Sequence, residues 1–307
     1  MIMESEKKTI LSVNDLSISF NMYGKGFERR RLKAIGNLSV DVLEGEILAV
    51  VGPSGSGKSL LAHAILGILP RNAVVGGDIS YKGEPLTAAC AKKLRGSEIA
   101  FVPQSVEYLD PLMKVGRQVS RDKSSVEKAF IRYKLDISVG KLFPHQLSGG
   151  MMRRVLCATA VVSGAKLLIA DEPTPGMSKE LARRAMKHFR DLAVEGAAVM
   201  LITHDIDLAL GYCDRVVVLY AGAAVETAPV SDFADESLLR HPYTKALWRA
   251  MPQNGFRPME GTWTCEGSTP EGCTFASCCD MRTGECVSGA IKPRAIRGGE
   301  VCCLYAT

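Results

Sequence analysis

The segment from Ile47 to Ser59 reads ILAVVGPSGSGKS, so that five apolar residues lead directly into a glycine-rich turn. A continuous apolar run is typical of a buried parallel strand, and the residues after the turn have helical spacing. The turn fits the pattern G-x-x-x-x-G-K-[ST] completely, in the strand-to-helix context that supports this pattern. Glycines let backbone amides converge on phosphate, and a helix N-terminus adds partial positive charge. The segment therefore predicts a site for a nucleoside triphosphate.

Two side chains of this turn have separate expected roles. Lys58 can reach the β- and γ-phosphates, and the hydroxyl of Ser59 can hold Mg²⁺. The residues expected to contact the nucleotide are Gly52, Pro53, Ser54, Gly55, Ser56, Gly57, Lys58, Ser59 and Leu60.

A second apolar segment ends in two carboxylates, Asp171 and Glu172. The carboxyl ends of parallel strands share one edge of a sheet, which places both groups beside the phosphate turn. We expect Asp171 to support Mg²⁺, and Glu172 to orient or deprotonate the attacking water. ATP and Mg²⁺ are therefore the expected cofactors of this edge.

Further short apolar segments occur at 99–103 and 198–203, with helical stretches between them. This alternation predicts an α/β fold with a mostly parallel sheet. Nearer the N-terminus, Ile10–Phe20 and Leu38–Val42 alternate apolar and polar residues, which predicts two strands. The segment Asn21–Arg31 between them is expected to be an exposed loop or a long hairpin connection.

The composition excludes several classes of protein. The 307 residues carry a net charge of only +5, and 23% of them are charged, which gives no sign of a nucleic-acid binder. The longest apolar segments are far shorter than the roughly 20 residues that cross a bilayer. The first residues, MIMESEKKT, lack the apolar core of a signal peptide. A cytosolic protein is expected, and a membrane role would require a partner that spans the membrane.

A third motif, at 148–150, precedes the strand that ends in Asp171, and Gln104 and His204 follow two other strand candidates. In their order and spacing, these motifs resemble the nucleotide-binding subunits of ABC transporters, from residue 10 to about residue 230. The resemblance implies that Gln104 senses Mg²⁺ and the attacking water. It implies that His204 is the switch histidine that contacts the γ-phosphate. The signature residues Ser148, Gly149 and Gly150 would contact a nucleotide held by the opposite subunit.

The resemblance also implies an architecture. An ABC ATPase cassette would span 10–236, with a RecA-like parallel sheet core, an N-terminal antiparallel β subdomain and an α-helical subdomain at about 105–150. A cysteine-rich C-terminal extension, which begins with a His-Pro-Tyr-Thr helix, would span 237–307.

Several partners follow from the same resemblance. The phosphate turn and the signature of one chain cannot close on the same nucleotide, so two cassettes must meet head to tail, as a dimer or, as this branch favours, as a heterodimer with a related chain. Two transmembrane permease subunits and, indirectly, an extracytoplasmic binding protein are also implied. The chain would then lie peripherally on the cytoplasmic face of the membrane, where ATP closes the pair and hydrolysis reopens it.

Other markers narrow the resemblance to one branch. Met151 follows the signature, the segment Tyr108–Gly116 follows Gln104, and HPYTKAL at His241–Leu247 follows the core. With Gly272–Cys273 they resemble the dipeptide/oligopeptide/nickel branch of ABC importers. The implied function is an ATPase that powers peptide import. Import of nickel or a metal chelate, a soluble ABC-type ATPase and an iron–sulfur assembly ATPase are the alternatives.

Seven of the ten cysteines lie after residue 264, behind a long cysteine-poor body. In a reducing compartment, this arrangement indicates a metal or cluster site more than disulfides. Four thiolates suit a [4Fe–4S] cluster or tetrahedral Zn²⁺, and spacing does not choose between them; a tail without metal is the third alternative. The best match to the pattern of the branch is Cys273, Cys279, Cys286 and Cys303, with Cys278 and Cys302 as adjacent alternates.

The sequence departs from the family pattern in two places. Beyond Glu172, Ser178 replaces the carboxylate that would face the partner's phosphate loop. This change predicts weaker turnover at the partner's site and unequal sites in the pair. The aromatic residue that stacks on adenine is also not fixed, and Phe20, Tyr23 and Phe27 are the candidates.

Overall fold

The computed structural model describes residues 7–23, 29–257 and 272–306. This part of the chain contains one antiparallel sheet of four strands and one mixed sheet of eight. None of its helices combines the length and the apolar character that a membrane span needs.

The antiparallel sheet has the strand order β2-β1-β4-β5, and the mixed sheet has the order β11-β12-β10-β9-β3-β8-β7-β6. In chain order the strands are β1 (Thr9–Tyr23), β2 (Arg29–Leu43), β3 (Ile47–Val51), β4 (Ala73–Tyr81), β5 (Glu84–Pro85), β6 (Ile99–Val102), β7 (Leu167–Asp171), β8 (Ala198–Thr203), β9 (Arg215–Tyr220), β10 (Ala223–Pro229), β11 (Arg294–Ile296) and β12 (Gly299–Val301).

The small sheet forms from the alternating N-terminal segments. On β1, Leu11 and Val13 are fully buried, and so are Leu16 and Ile18 beyond an irregularity in the pairing, because residues two apart share a face of a strand. The hairpin is longer than the sequence predicts. Asn21 pairs with Arg31, so both strands extend into the segment predicted as a loop or hairpin connection. Pairing satisfies the backbone there although few side chains are apolar.

Five strands of the mixed sheet, β9, β3, β8, β7 and β6, run parallel. Both faces of this sheet are covered. On β3, Leu48 and Val50 join one hydrophobic cluster, while Ile47, Ala49 and Val51 join the other. Burial on both faces explains why these strands are continuous apolar runs rather than alternating ones.

The helices occupy the connections between the strands. They are α1 (Lys58–Ile65), α2 (Ala88–Leu94), α3 (Val115–Val119), α4 (Lys123–Arg132), α5 (Gly149–Val162), α6 (Lys179–Val194), α7 (Ile206–Tyr212) and α8 (Pro242–Arg249). Helix α6 buries Ala185, Met186 and Phe189, which lie at the three- and four-residue spacing of one helix face. Between β6 and α5 the chain forms α3, α4 and short 3₁₀ turns, and α3 and α4 pack against α5.

The C-terminal tail has few apolar residues and forms no separate core. Its last strands instead continue the mixed sheet of the cassette. Strand β12 pairs with β10, where Glu226 lies opposite Val301, and β11 completes a hairpin. The side chain of Arg240, which is 1% exposed, connects these parts. It pairs with Glu226 at 3.1 Å and donates to the backbone carbonyl of Ile296 at 2.6 Å. Sheet pairing and a buried ion pair therefore hold the end of the tail.

Candidate nucleotide-binding site

The phosphate turn has a backbone that only glycine adopts easily. Gly52, Gly55 and Gly57 have φ values of +155°, +80° and +97°. A Cβ on Gly52 would lie 2.3 Å from the carbonyl oxygen of Leu219 on β9, and one on Gly57 would lie 2.9 Å from Ile35. The turn is therefore fixed between β9 and the small sheet.

Lys58 lies at the start of α1, directly under the turn. Its Nζ donates to the carbonyl oxygens of Gly52 at 2.8 Å and Pro53 at 2.9 Å. Burial lowers the pKa of Lys58, and the carboxylates of Glu172 and Asp171 oppose that shift. The ammonium group is thus held inside the turn, where phosphate oxygens can replace the two carbonyls.

Asp171 is the last residue of β7 and Glu172 follows it; β7 lies two strands from β3 in the sheet. Burial raises the pKa of Asp171, and the nearby hydroxyl of Ser59 opposes this effect. Glu172 is 6% exposed and has φ +47°, a left-handed conformation that is rare for a non-glycine residue. Its amide donates to the carbonyl of Ile202 on β8, which fixes the turn after β7.

His204 comes directly after β8 and contacts the second carboxylate. Its Nδ1 lies 2.8 Å from Oε1 of Glu172, and its own side chain is 67% exposed. An exposed imidazole thus meets a buried carboxylate at the carboxyl edge of the sheet. The other oxygen of Glu172, Oε2, is buried without a hydrogen-bond partner among the described residues.

The chain fits Mg²⁺ and a nucleoside triphosphate at this edge. Within the described part of the chain, Oγ of Ser56 and Oδ1 of Asp171 are also buried and without partners. Buried polar atoms are normally hydrogen-bonded, so this group of oxygens beside a lysine indicates a ligand. Oxygen donors are those that Mg²⁺ prefers.

The remaining predicted residues lie on other elements. Gln104 is exposed and follows β6, which pairs with β7 at the same edge of the sheet. Ser148 is the N-cap of α5, where its Oγ accepts from the amide of Met151 at 3.3 Å. Ser148 and Gly149 are exposed, and no hydrogen bond among the described residues joins the signature to the phosphate turn. The structure thus brings together the phosphate turn, both carboxylates and His204, but not the signature.

A separate cavity lies in the C-terminal tail. Its lining includes the four cysteines of the best match, Cys273, Cys279, Cys286 and Cys303. Cys278 and Cys302 do not line this cavity. Burial raises the pKa of Cys273, Cys279 and Cys303, and the backbone amides two residues ahead, those of Phe275, Met281 and Tyr305, oppose this shift.

The cavity and its other thiols shift the pKa of Cys273. Burial raises the pKa of Cys273 to about 11, and the other three thiols of the cavity add to this shift. No group of three or more His, Cys, Asp or Glu side chains among the described residues is placed to hold a metal ion. The sulfurs therefore surround a cavity rather than converge on one point.

Comparisons with known proteins agree with this geometry. The family model "ABC transporter" matches residues 35–175, and the model "Oligopeptide/dipeptide transporter, C-terminal region" matches residues 225–286. A putative peptide import ATP-binding protein of Brucella abortus is 34% identical, over 94% of this chain and 91% of that protein. The dipeptide transport ATP-binding protein DppD of Bacillus subtilis is also 34% identical, over 90% and 88%. The chain belongs to the ABC transporter ATP-binding proteins.

Solved structures share the fold of this ABC ATPase. The dimeric structure of MJ0796, a bacterial ABC transporter cassette, has a TM-score of 0.63 at 24% identity, over 72% of this chain and 99% of that chain. An ATP-binding subunit of an ABC transporter has a TM-score of 0.61 at 24% identity, over 73% and 91%.

Sequence reasoning missed some residues of the ABC ATPase and left others open. Arg240 carried no motif of its own, although it directly precedes the His-Pro-Tyr segment. His241 was expected only to start a helix, yet its ring lines the cysteine cavity. Of the adenine-stacking candidates, Phe20 packs against the core, whereas Phe27 and the side chain of Tyr23 lie outside the described residues.

Proposed function

We propose that this ABC ATPase hydrolyses ATP to power the import of peptides. The observation that carries the proposal is the Glu172–His204 pair beside a phosphate turn with a buried lysine. The relatives named for peptide, dipeptide or oligopeptide transport support the substrate class.

The roles in hydrolysis follow from the contacts. Lys58 and the amides of the turn bind the phosphates, and bound Mg²⁺, held by Ser59, Asp171 and Gln104, would neutralise their charge. His204 binds Oε1 of Glu172, so Oε2 is the atom left to accept a proton from the attacking water. The exposed ring of His204 can in addition donate to a γ-phosphate oxygen.

The proposed functional unit is a pair of cassettes. Ser148, Gly149 and Gly150 lie at the exposed start of α5, a free helix N-terminus that favours an anion from outside the chain. A second, related ATP-binding chain would bind the nucleotide that this signature contacts. The signature of that second chain would contact the nucleotide bound here. We infer a heterodimer, because Ser178 makes this cassette unlike the family pattern.

The proposed contact with the two permease subunits lies on the segment after Gln104. Tyr108, Leu112 and Met113 are exposed, and Leu112 is 87% exposed, which is unusual for large apolar side chains this close together. Binding there would hold the chain peripherally on the cytoplasmic face of the membrane. It would also transmit closure of the cassettes to the permeases, which in turn receive substrate from an extracytoplasmic binding protein. We infer no nucleic-acid partner.

The proposed domain boundaries place the cassette at 10–236, with its helical subdomain at about 105–150, and the extension at 237–307. Residues 258–271 of the extension lie outside the described part. The pairing of β10 with β12 joins the two units in one sheet.

We further propose that Cys273, Cys279, Cys286 and Cys303 hold a [4Fe–4S] cluster. The four cysteines line one cavity, and a set of four thiolates from one segment suits such a cluster. Amide donors to the sulfurs stabilise thiolates. Cys279 and Cys303 line the cavity, whereas the adjacent Cys278 and Cys302 do not, which favours the former pair.

The cluster is tested by analysing the chain purified without oxygen. About four iron and four sulfide per chain, with broad visible absorption, are expected. Cys286→Ser should lose the iron, while Cys278→Ser, the matched control, should keep it. Zinc in place of iron, or equal loss in both variants, would contradict the proposal.

The transport function is tested in vesicles that contain the permeases, the second ATPase and the binding protein. We expect peptide uptake that requires ATP and stops with Glu172→Gln. Uptake of nickel but not of peptides would favour the metal-chelate alternative. ATP turnover that does not respond to the permeases would favour a soluble ATPase.

A further inference from the structure

His241 is the cap of α8, and this role fixes which ring nitrogen carries a proton. Its Nδ1 accepts a hydrogen bond from the amide of Tyr243 at 3.0 Å. A nitrogen that accepts must offer its lone pair, so the proton of the neutral imidazole lies on Nε2. Burial lowers the pKa of His241 to about 3, in keeping with a neutral ring.

The Nε2–H group is a buried donor without an acceptor. His241 is 1% exposed, and its Nε2 has no hydrogen-bond partner among the described residues. Buried donors are rarely left unpaired in folded proteins, and each costs stability. The cap alone does not require this arrangement, since a smaller polar residue could accept the same amide.

The surroundings of the ring limit what the acceptor can be. His241 lines the cavity of the four cysteines and lies beside Phe275, with 6.0 Å between ring centroids. The other side chains that line the cavity are apolar, apart from Tyr305. The hydroxyl of Tyr305 already pairs with Thr283 at 3.0 Å. Among the side chains that line the cavity, the sulfurs are therefore the acceptors that remain.

We propose that His241 donates its Nε2–H to a sulfur of the centre held by Cys273, Cys279, Cys286 and Cys303, and so positions and tunes that centre. The inference rests on the proposed cluster. A hydrogen bond to a cluster sulfur stabilises the reduced form, which carries more negative charge. His241 thus raises the reduction potential of the cluster, as outer-shell partners of metal ligands do elsewhere.

Two variants separate this role from capping. The amide oxygen of Asn can replace Nδ1 as the cap acceptor but leaves no donor at the position of Nε2. The longer Gln can place its NH₂ group near that position but caps poorly. We expect His241→Asn to weaken one-electron reduction of the cluster about tenfold, which corresponds to ~59 mV. His241→Gln should keep a potential close to that of the unchanged chain while it lowers the stability of α8.

The experiment is a potentiometric titration of the iron-loaded full chain, followed by its electron paramagnetic resonance signal. An unchanged potential in an iron-loaded His241→Asn chain would overturn the inference. So would equal shifts in both variants, which would indicate a structural role only. A purified unchanged chain without iron would overturn the cluster itself, a failure that metal analysis reveals before any titration.

A second measurement serves if His241→Asn does not retain iron. In the unchanged chain with ¹⁵N-labelled histidine, electron–nuclear double resonance of the reduced cluster should show one weakly coupled imidazole nitrogen. Absence of such a coupling would overturn the inference without any variant.

Discussion

The phosphate turn and the cysteine cavity are prepared for their ligands in different ways. In the turn, Lys58 is satisfied by two carbonyl oxygens of the turn itself, and the glycine backbone is fixed by contact with β9. In the cavity, burial raises the pKa of Cys273, the three neighbouring thiols add to that shift, and Nε2 of His241 has no partner among the described residues. The turn leads out of a strand of the core sheet and is held by contact with its neighbours. With the proposed cluster, the cavity would be completed by what it binds.

The largest expected effect comes from stopping ATP hydrolysis beside the phosphate turn while the cysteine cavity is left unchanged. Glu172→Gln keeps the size of the side chain but removes the carboxylate that accepts the proton. We expect ATP turnover to fall by about 10²–10⁴-fold, while nucleotide binding is retained. Glu180→Gln, on the exposed start of α6, is the matched control. Turnover by the assembled transporter and binding to the isolated chain are the measurements, and unchanged turnover would remove Glu172 from its role.

The attachment of the tail can be broken without touching the turn. Arg240→Leu leaves Glu226, which is buried, without its partner, and we expect a loss of about 3–5 kcal/mol in the free energy of unfolding. Arg249→Leu removes an exposed pair with Glu236 and should cost at most about 1 kcal/mol. Denaturant unfolding of both variants checks the difference. Equal losses would mean that the tail is not held by Arg240.

Two glycines of positive φ test whether contact with β9 fixes the backbone of the phosphate turn. Gly52→Ala combines strain with a Cβ that would lie 2.3 Å from the carbonyl oxygen of Leu219, so we expect a loss of about 2–3 kcal/mol in stability. Gly83→Ala, with φ +85° and no atom within 4 Å of the added Cβ, should cost about 1 kcal/mol. If thermal or denaturant unfolding shows the same loss for both, contact with β9 does not fix the turn.

The two regions also differ in how far the sequence predicts them. The parallel strands and the turn at Gly52 were readable because a buried strand has to be apolar throughout and a phosphate turn has to contain glycine. Strand β4 was not foreseen, since Gly76 and Gly77 interrupt its pattern. The hairpin of β11 and β12 was missed because strands of three residues carry no periodicity.

Side-chain partners were the other limit of sequence reasoning. Spacing could not show which of Cys278 and Cys279 lines the cavity, because that depends on how the tail folds. It also gave His241 no role beyond the start of a helix, because an Nε2 without a partner among the described residues is a property of the folded cavity. Local motifs with a fixed geometry can be predicted, whereas contacts between distant segments need the fold.

The smallest predicted effect concerns the partner's phosphate turn, which Ser178 of this chain would face. Ser178 is the N-cap of α6, where its Oγ accepts from the amide of Leu181 at 3.4 Å. Asp is an equally good N-cap, so Ser178→Asp should preserve the helix while it restores the carboxylate of the family pattern. We expect turnover of the assembled pair to rise about 3- to 10-fold, or roughly 0.7–1.4 kcal/mol in the barrier. Ser178→Asn caps without charge and should leave turnover unchanged. If both variants raise turnover equally, the cap and not the carboxylate limits the partner's site. The missing carboxylate would then not be the cause of a difference between the two sites.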